Sequence, residues 1–362
     1  MKKIIIGIAF ISFALIGTVL ALPTVLPIWQ QYRPRPTVPV DGAMRAQAID
    51  ALVDQVGAHY VFPAKTEQIE TLLRQRQRNG DYDAITDGDK LAKTLTADMA
   101  SVVHDLHMRV EFSPEVLPPQ PVRARGTPGP GAQQGPFFMQ WIDALGRKMA
   151  PMGVDKVDLM PSNIGYLKMS GFARPELSGP KYGAAMDKLA DTGAMIIDMR
   201  GNGGGSAQAV GVLISYFVDQ RTRLNDIYIR ETGITEQMWT TDALAGKRYG
   251  AQKKVVILIG PNTFSGGEDF AYTMQALKRA TLVGERTRGG AHPTGTYRLA
   301  DHFVARIPDA RSISPITGTN WEGVGVIPDI KTAPGEALAV AKAHLLRTEA
   351  RAAGTRVALP AQ

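Results

Sequence analysis

Asn262-Thr263-Phe264-Ser265-Gly266-Gly267-Glu268-Asp269 stands between a β-branched apolar run, Lys254-Val255-Val256-Ile257-Leu258-Ile259-Gly260, and a helical pattern, Phe270-Ala271-Tyr272-Thr273-Met274-Gln275-Ala276-Leu277. The junction reads as strand, tight turn, helix. A serine there has an exposed hydroxyl, and the next N–H points out of the helix N-terminus. That suits a nucleophile with an oxyanion donor beside it. A second strand-then-glycine junction, Ile196-Ile197-Asp198-Met199-Arg200-Gly201-Asn202-Gly203-Gly204-Gly205, offers another donor. Together they point to a hydrolase.

Each junction also has a plainer reading. A serine at a helix start is most often an N-cap. Thr263 stands where the G-x-S-x-G elbow of α/β-hydrolases has its first glycine. The paired glycines after Ser265 raise the odds of a site, because they let a ligand come close to the backbone. Strand, glycine loop and helix is also the dinucleotide-binding order. Ser206 breaks that pattern and no acidic residue ends a following strand, so no cofactor is expected. Asp198 and Arg200 are expected to brace the loop through an ion pair or backbone bonds.

Outward from these turns, strand-like runs alternate with helical ones. The strands are Ile164 to Met169, Met195 to Met199, Val255 to Ile259 and Ala280 to Gly284; the helices are Lys181 to Leu189, Ala207 to Phe217 and Gly267 to Leu277. The alternation predicts an α/β fold of βαβ units with a largely parallel sheet. From Met44 to about Val103 the apolar spacing is helical throughout, with a break at Gly80-Asp81-Tyr82-Asp83, which predicts a small N-terminal helical domain. The expected domains are 30–112 helical, 113–158 a Pro/Gly-rich linker or active-site loop, 159–348 the α/β core and 349–362 a tail.

Residues 1–29 begin Met1-Lys2-Lys3 and run without charge from Ile4 to Leu22, as in a secretory signal peptide with cleavage after Ala21. The apolar stretch continues to Ile28, long enough for an uncleaved membrane anchor. Either way the chain is expected outside the cytoplasm, in a bacterial periplasm or at the outer cell face. The net charge of +7 is scattered, without basic tracts, so no nucleic-acid partner is expected. The absence of cysteine excludes disulfides, thiolate metal sites and a cysteine nucleophile.

A serine needs a base. His104 and His107 lie close together in Val103-His104-Asp105-Leu106-His107-Met108-Arg109-Val110, at a helix-to-strand transition. Two histidines at i and i+3 without further ligands make a thin zinc case, and no metal is expected. Of the other histidines, His292 in Gly289-Gly290-Ala291-His292-Pro293 has the most suggestive loop.

Four stretches in this order resemble the serine peptidase family of the tail-specific (C-terminal processing) proteases, the tricorn protease core and the interphotoreceptor retinoid-binding protein modules. They are Asp105-Leu106-His107, the Asp198-to-Gly205 loop, Thr263-Phe264-Ser265-Gly266-Gly267-Glu268, and Asn320-Trp321-Glu322-Gly323-Val324-Gly325-Val326-Ile327-Pro328-Asp329. The resemblance spans roughly Ala48 to Ile330 and implies a crotonase/ClpP-like core. Tail-specific proteases use a Ser–Lys dyad, and the position resembling their lysine is Gly290 here. The tricorn-like branch uses serine, a histidine and a glutamate, present as Ser265, His107 and Glu322. The tricorn site also has a serine just before its histidine, which is Leu106 here.

The resemblance therefore implies that His107 takes the proton from Ser265, that Glu322 steadies the imidazolium, and that the amides of Gly266 and Gly204 hold the oxyanion. It implies a peptide or protein substrate. No PDZ domain is recognisable between Ser113 and Ser162. Two alternatives share the fold: a non-enzymatic ligand- or peptide-binding protein, and an esterase-type acyl hydrolase.

Overall fold

The computed structural model describes residues 38–117 and 153–354. The expected signal or anchor, the Pro-rich spacer up to residue 37, residues 118–152 of the expected linker and the tail from 355 lie outside the described residues. Among the described residues no helix is long and apolar enough to cross a membrane.

Three helices open the described chain: α1 (Gly42–His59), α2 (Pro63–Arg78) and α3 (Gly88–Val102). Asp41 caps α1 by accepting from Met44 N–H at 2.8 Å, and Asp87 caps α3 from Lys90 N–H at 2.7 Å. Pro63 starts α2, where its missing N–H has no intrahelical partner to lose. These are the helices expected from the periodicity.

The central sheet has six strands: β2 (Val154–Met160), β3 (Ile164–Met169), β4 (Ala194–Asp198), β7 (Lys254–Ile259), β8 (Thr281–Gly284) and β12 (Ile330–Lys331). Their order is β12-β8-β7-β4-β3-β2, parallel except for the β2–β3 pair. Alternation along each strand serves both faces. Met195, Ile197, Val255, Ile257 and Ile259 enter one core, shared with α4 (Pro175–Leu189), α5 (Ala207–Ile214) and α6 (Gly266–Ala276). Ala194, Ile196, Val256 and Leu258 enter the other, closed by Ala337, Ala341 and Leu345 of α7 (Ala337–Gly354). A sheet covered on both faces needs apolar residues at every position, which is why its strands read as unbroken apolar runs.

Two smaller sheets flank this core. Strands β1 (Arg109–Phe112), β10 (Phe303–Pro308) and β9 (Thr294–Arg298) form one; β11 (Ala310–Ile313), β5 (Asp226–Ile229) and β6 (Thr235–Glu236) form the other. The first carries a correction to the expected partition. Leu299, Phe303, Ala305 and Ile307 pack with Leu52, Leu73, Leu91 and Leu95, so the N-terminal helices share their core with a hairpin from the C-terminal half. A second difference is β2, which begins at Val154, inside the stretch expected to be a linker. Third, α7 runs on to Gly354, through the first residues of the expected tail.

Candidate active site

The carboxyl ends of β4 and β7 carry the two turns, side by side because their strands pair. This is where open parallel sheets bind ligands. Thr263 joins the turns: its hydroxyl donates to Met199 O at 2.9 Å and accepts from Gly260 N–H at 3.0 Å. Phe264 N–H donates to Asn202 O at 2.9 Å. Asp198 and Arg200 pair at 2.6 Å, with Tyr166 O–H on the same carboxylate at 2.7 Å, so both brace the loop as expected.

Ser265 stands at the start of α6 with φ 54° and ψ −118°. An N-cap residue takes extended, negative-φ geometry; this one sits where a side chain is strained, and such outliers cluster at functional sites. Gly204, at φ +97°, makes that turn fit: a Cβ there would lie 2.7 Å from Ser265 Cβ and 2.8 Å from Gly266 N.

The expected glycine-loop donor, Gly204, has a partner of its own. Gly204 N–H donates to Asn202 Oδ1 at 2.9 Å and so is already engaged. Gly205 N–H has no hydrogen-bond partner among the described residues. Its neighbours, Gly204 O and Ser206 N–H, bond to Phe172, which turns the Gly205 N–H the opposite way. Gly205 lines a cavity of about 380 Å³ together with Ser265, Gly266 and His107.

His107 follows α3 in the short turn before β1, its backbone N–H held by Asp105 Oδ1 at 3.1 Å. Its ring stacks on Phe264, centroids 4.5 Å apart. Gly290 provides the space. A Cβ on Gly290 would lie 2.3 Å from Phe264 Cε2 and 2.8 Å from His107 Cε1. Burial above all, with help from Arg109, His292 and Arg288 against Asp105, pushes the His107 imidazole down to about 4. It is therefore neutral over most of the pH range. No hydrogen bond joins Ser265 and His107 among the described residues, and such pairs commonly tighten only around a substrate.

Glu322 reaches the same region from the Trp321-Glu322-Gly323 turn. Trp321 Nε1–H donates to Gly290 O at 2.8 Å and Glu322 Oε2 accepts from Ala291 N–H, so this turn is stitched to the glycine loop. Burial and then Asp105 push the Glu322 carboxyl up to about 7. Its Oε1 and His107 Nδ1 are both buried without a hydrogen-bond partner. One donor atom from each of Asp105, His107 and Glu322 lies within 4.8 Å of the others. A cation there would find few free ligands, since Asp105 already accepts from His107 N–H and pairs with His292 Nδ1 at 2.7 Å.

Three members of this site were not assigned roles from the sequence. Asp105 and His292 form a buried pair, and His292 Nδ1 is also 3.4 Å from Glu322 Oε2. Glu268 is fully buried and accepts from Ser265 N–H (2.9 Å), Thr287 Oγ1–H (2.5 Å), Gly289 N–H (2.6 Å) and Gly290 N–H (2.9 Å), locking the glycine loop to α6. The signal for Glu268 was its place three residues after Ser265, the capping-box spacing. Nothing local marks a pair like Asp105–His292, whose members are 187 residues apart.

Residues 163–332 match the model for peptidase family S41, and residues 43–136 match the N-terminal domain of peptidase S41 in eukaryotic IRBP. Residues 163–332 therefore carry a peptidase S41 domain. Carboxyl-terminal-processing peptidase 1, chloroplastic, of Arabidopsis thaliana is 27% identical over 186 residues, covering 50% of this chain and 36% of that relative. The chain spans between 27% and 41% of the length of the curated relatives it matches. Among solved structures, a candidate peptidase from Parabacteroides merdae superposes with TM-score 0.57 at 18% identity, covering 83% of this chain and 96% of that one. The tricorn protease superposes with TM-score 0.52 at 17% identity, covering 85% of this chain and 37% of its own. Those two likenesses are of fold.

Proposed function

We propose that this chain hydrolyses peptide bonds through Ser265, His107 and Glu322. The observation that carries the reading is the space at Gly290. Phe264 and the His107 ring fill the volume that any side chain at 290 would need, so an imidazole takes the place of a lysine base. Ser265 attacks the scissile carbonyl while neutral His107 accepts the hydroxyl proton. The N–H groups of Gly266 and Gly205 hold the oxyanion. His107 then passes the proton to the departing amine, and a water, deprotonated by the same ring, releases the acyl group. Glu322 Oε1 faces the imidazolium that forms in each half-reaction, giving two orphaned atoms a partner.

A fluorophosphonate probe tests this directly. The native protein should label at Ser265, and Ser265→Ala and His107→Ala should each lose peptide hydrolysis while keeping a native melting transition. A folded protein that never labels would count for a binding protein on this scaffold. Faster turnover of esters with no cleavage of any peptide would make it an esterase.

Residues 1–29 support a location outside the cytoplasm, as a cleaved signal or an uncleaved tether. Fractionation of cells expressing the full chain separates the two, and recovery in the cytoplasm would overturn both.

A further inference from the structure

Asp269 stands one helical turn from the nucleophile, its N–H donating to Ser265 O at 2.9 Å. Residues four apart share a helix face, and Asp269 lines the same cavity of about 380 Å³ as Ser265. It also lines the narrow recess behind that cavity, whose walls include aliphatic Val210, Ile214 and Leu224. The chain carries a net charge of +7, yet among the described residues no lysine or arginine lines either space. Among the described residues the other carboxylate of the cavity is Glu236.

The partners of Asp269 are neutral. Its Oδ1 accepts from Asn225 Nδ2–H at 2.7 Å and from Thr273 Oγ1–H at 3.2 Å, and no ion pair reaches it among the described residues. A carboxylate withdrawn from water without a cation is costly, and burial pushes its carboxyl up to about 6. Among the described residues no side chain supplies the charge that would balance it, and the carboxylate borders the cavity from which one could come.

We propose that Asp269 selects the substrate: its carboxylate receives the ammonium or guanidinium of a lysine or arginine on the acyl side of the scissile bond. The aliphatic stem of that side chain lies along Ile227 and Met238, both in the cavity wall. The charge-assisted hydrogen bond at its tip replaces the water the cation gives up. The inference rests on the hydrolase reading and names its substrate class.

The test uses N-acetylated peptides identical except for lysine, arginine, norleucine or leucine before a fluorogenic leaving group. Lysine and arginine should exceed norleucine in kcat/KM by at least about tenfold, the weight of one hydrogen bond to a charged group. In Asp269→Asn that advantage should disappear, with fluorophosphonate labelling and the melting transition reporting an intact fold. Norleucine matching lysine in the native protein, or an advantage that survives in Asp269→Asn, overturns the proposal. So does a preference for unblocked peptides whatever the side chain, which would give the carboxylate to a terminal amine. Failure to label or cleave at all would instead sink the hydrolase reading. The charge preference would then be read by direct binding to Ser265→Ala: tighter binding of the lysine peptide than of its norleucine twin upholds it, and equal binding ends it.

Discussion

Gly290 leaves no room for even a methyl group, because its neighbours are the two rings that set the site. Gly290→Ala should drive His107 and Phe264 apart, lowering kcat/KM by about 10²-fold, the usual effect of displacing a reacting group by about 1 Å. Gly290→Lys, which restores the residue of the dyad-type relatives, should be no better. A gain of activity in either variant would show that His107 is not the base. Protonation gives a second check. His107 is neutral above about 4 while Glu322 stays protonated up to about 7. In between, the base is ready but its counter-charge is missing, so kcat/KM should fall as pH drops through about 7. Glu322→Gln should remove that limb and lower the rate by about 10³- to 10⁴-fold. Stability should hardly register the same titrations. Glu322, raised from 4.5, favours the fold at low pH and loses that contribution as pH rises through about 7. His107, depressed from 6.5, favours the fold at high pH and loses it as pH falls towards about 4. The two offset each other, so the slope left between these values is that of Asp269, raised from 3.8 to about 6: calorimetry should find Tm falling as pH rises to about 6 and level from there to about 7, where the rate changes steeply.

At the scale of elements, the glycine loop and α6 depend on one carboxylate, that of Glu268. Glu268→Gln turns an acceptor into a donor facing several N–H and O–H groups and should cost about 3 kcal/mol, read from chemical denaturation. It should also loosen the loop that holds Gly290. How far these elements could be read from the sequence follows from where they sit. Strands β3, β4, β7 and β8 are buried on both faces, and their apolar runs were visible to within a residue or so. Edge strand β2 carries exposed Asp155, Lys156 and Leu159, a pattern that resembles surface loop. The strands of the two small sheets are short and half-buried, so neither run nor alternation marks them. Helix α4 begins at Pro175, earlier than its apolar spacing suggested, because its first turn is set by the proline. Of the candidate site, Ser265, His107 and Glu322 were nominated by resemblance, and their nearness in space comes from the fold. Gly205 was not nominated, because the bonds made by Gly204 and Ser206 that favour it are set by Phe172, some thirty residues upstream in the chain.

For the whole molecule, the N-terminal helices and the sheet that follows them form one body through long-range contacts. β1 pairs with β10 from Arg109↔Arg306 to Phe112↔Phe303, Val61 N–H donates to Pro308 O at 2.8 Å, and Arg230 Nη2–H donates to Gly57 O at 2.7 Å. The segment that brings His107 to the cavity is therefore held from both sides, by α3 through Val110 N–H on Thr96 Oγ1 at 2.9 Å and by the C-terminal half of the chain through β10. Covalent continuity between the halves should then be dispensable. Residues 38–152 and 153–354, produced as separate polypeptides in one cell, should find each other and reconstitute a labelled serine, whereas neither fragment alone should react. Such a split enzyme would make its activity a reporter of proximity, switched on by whatever brings the two pieces together.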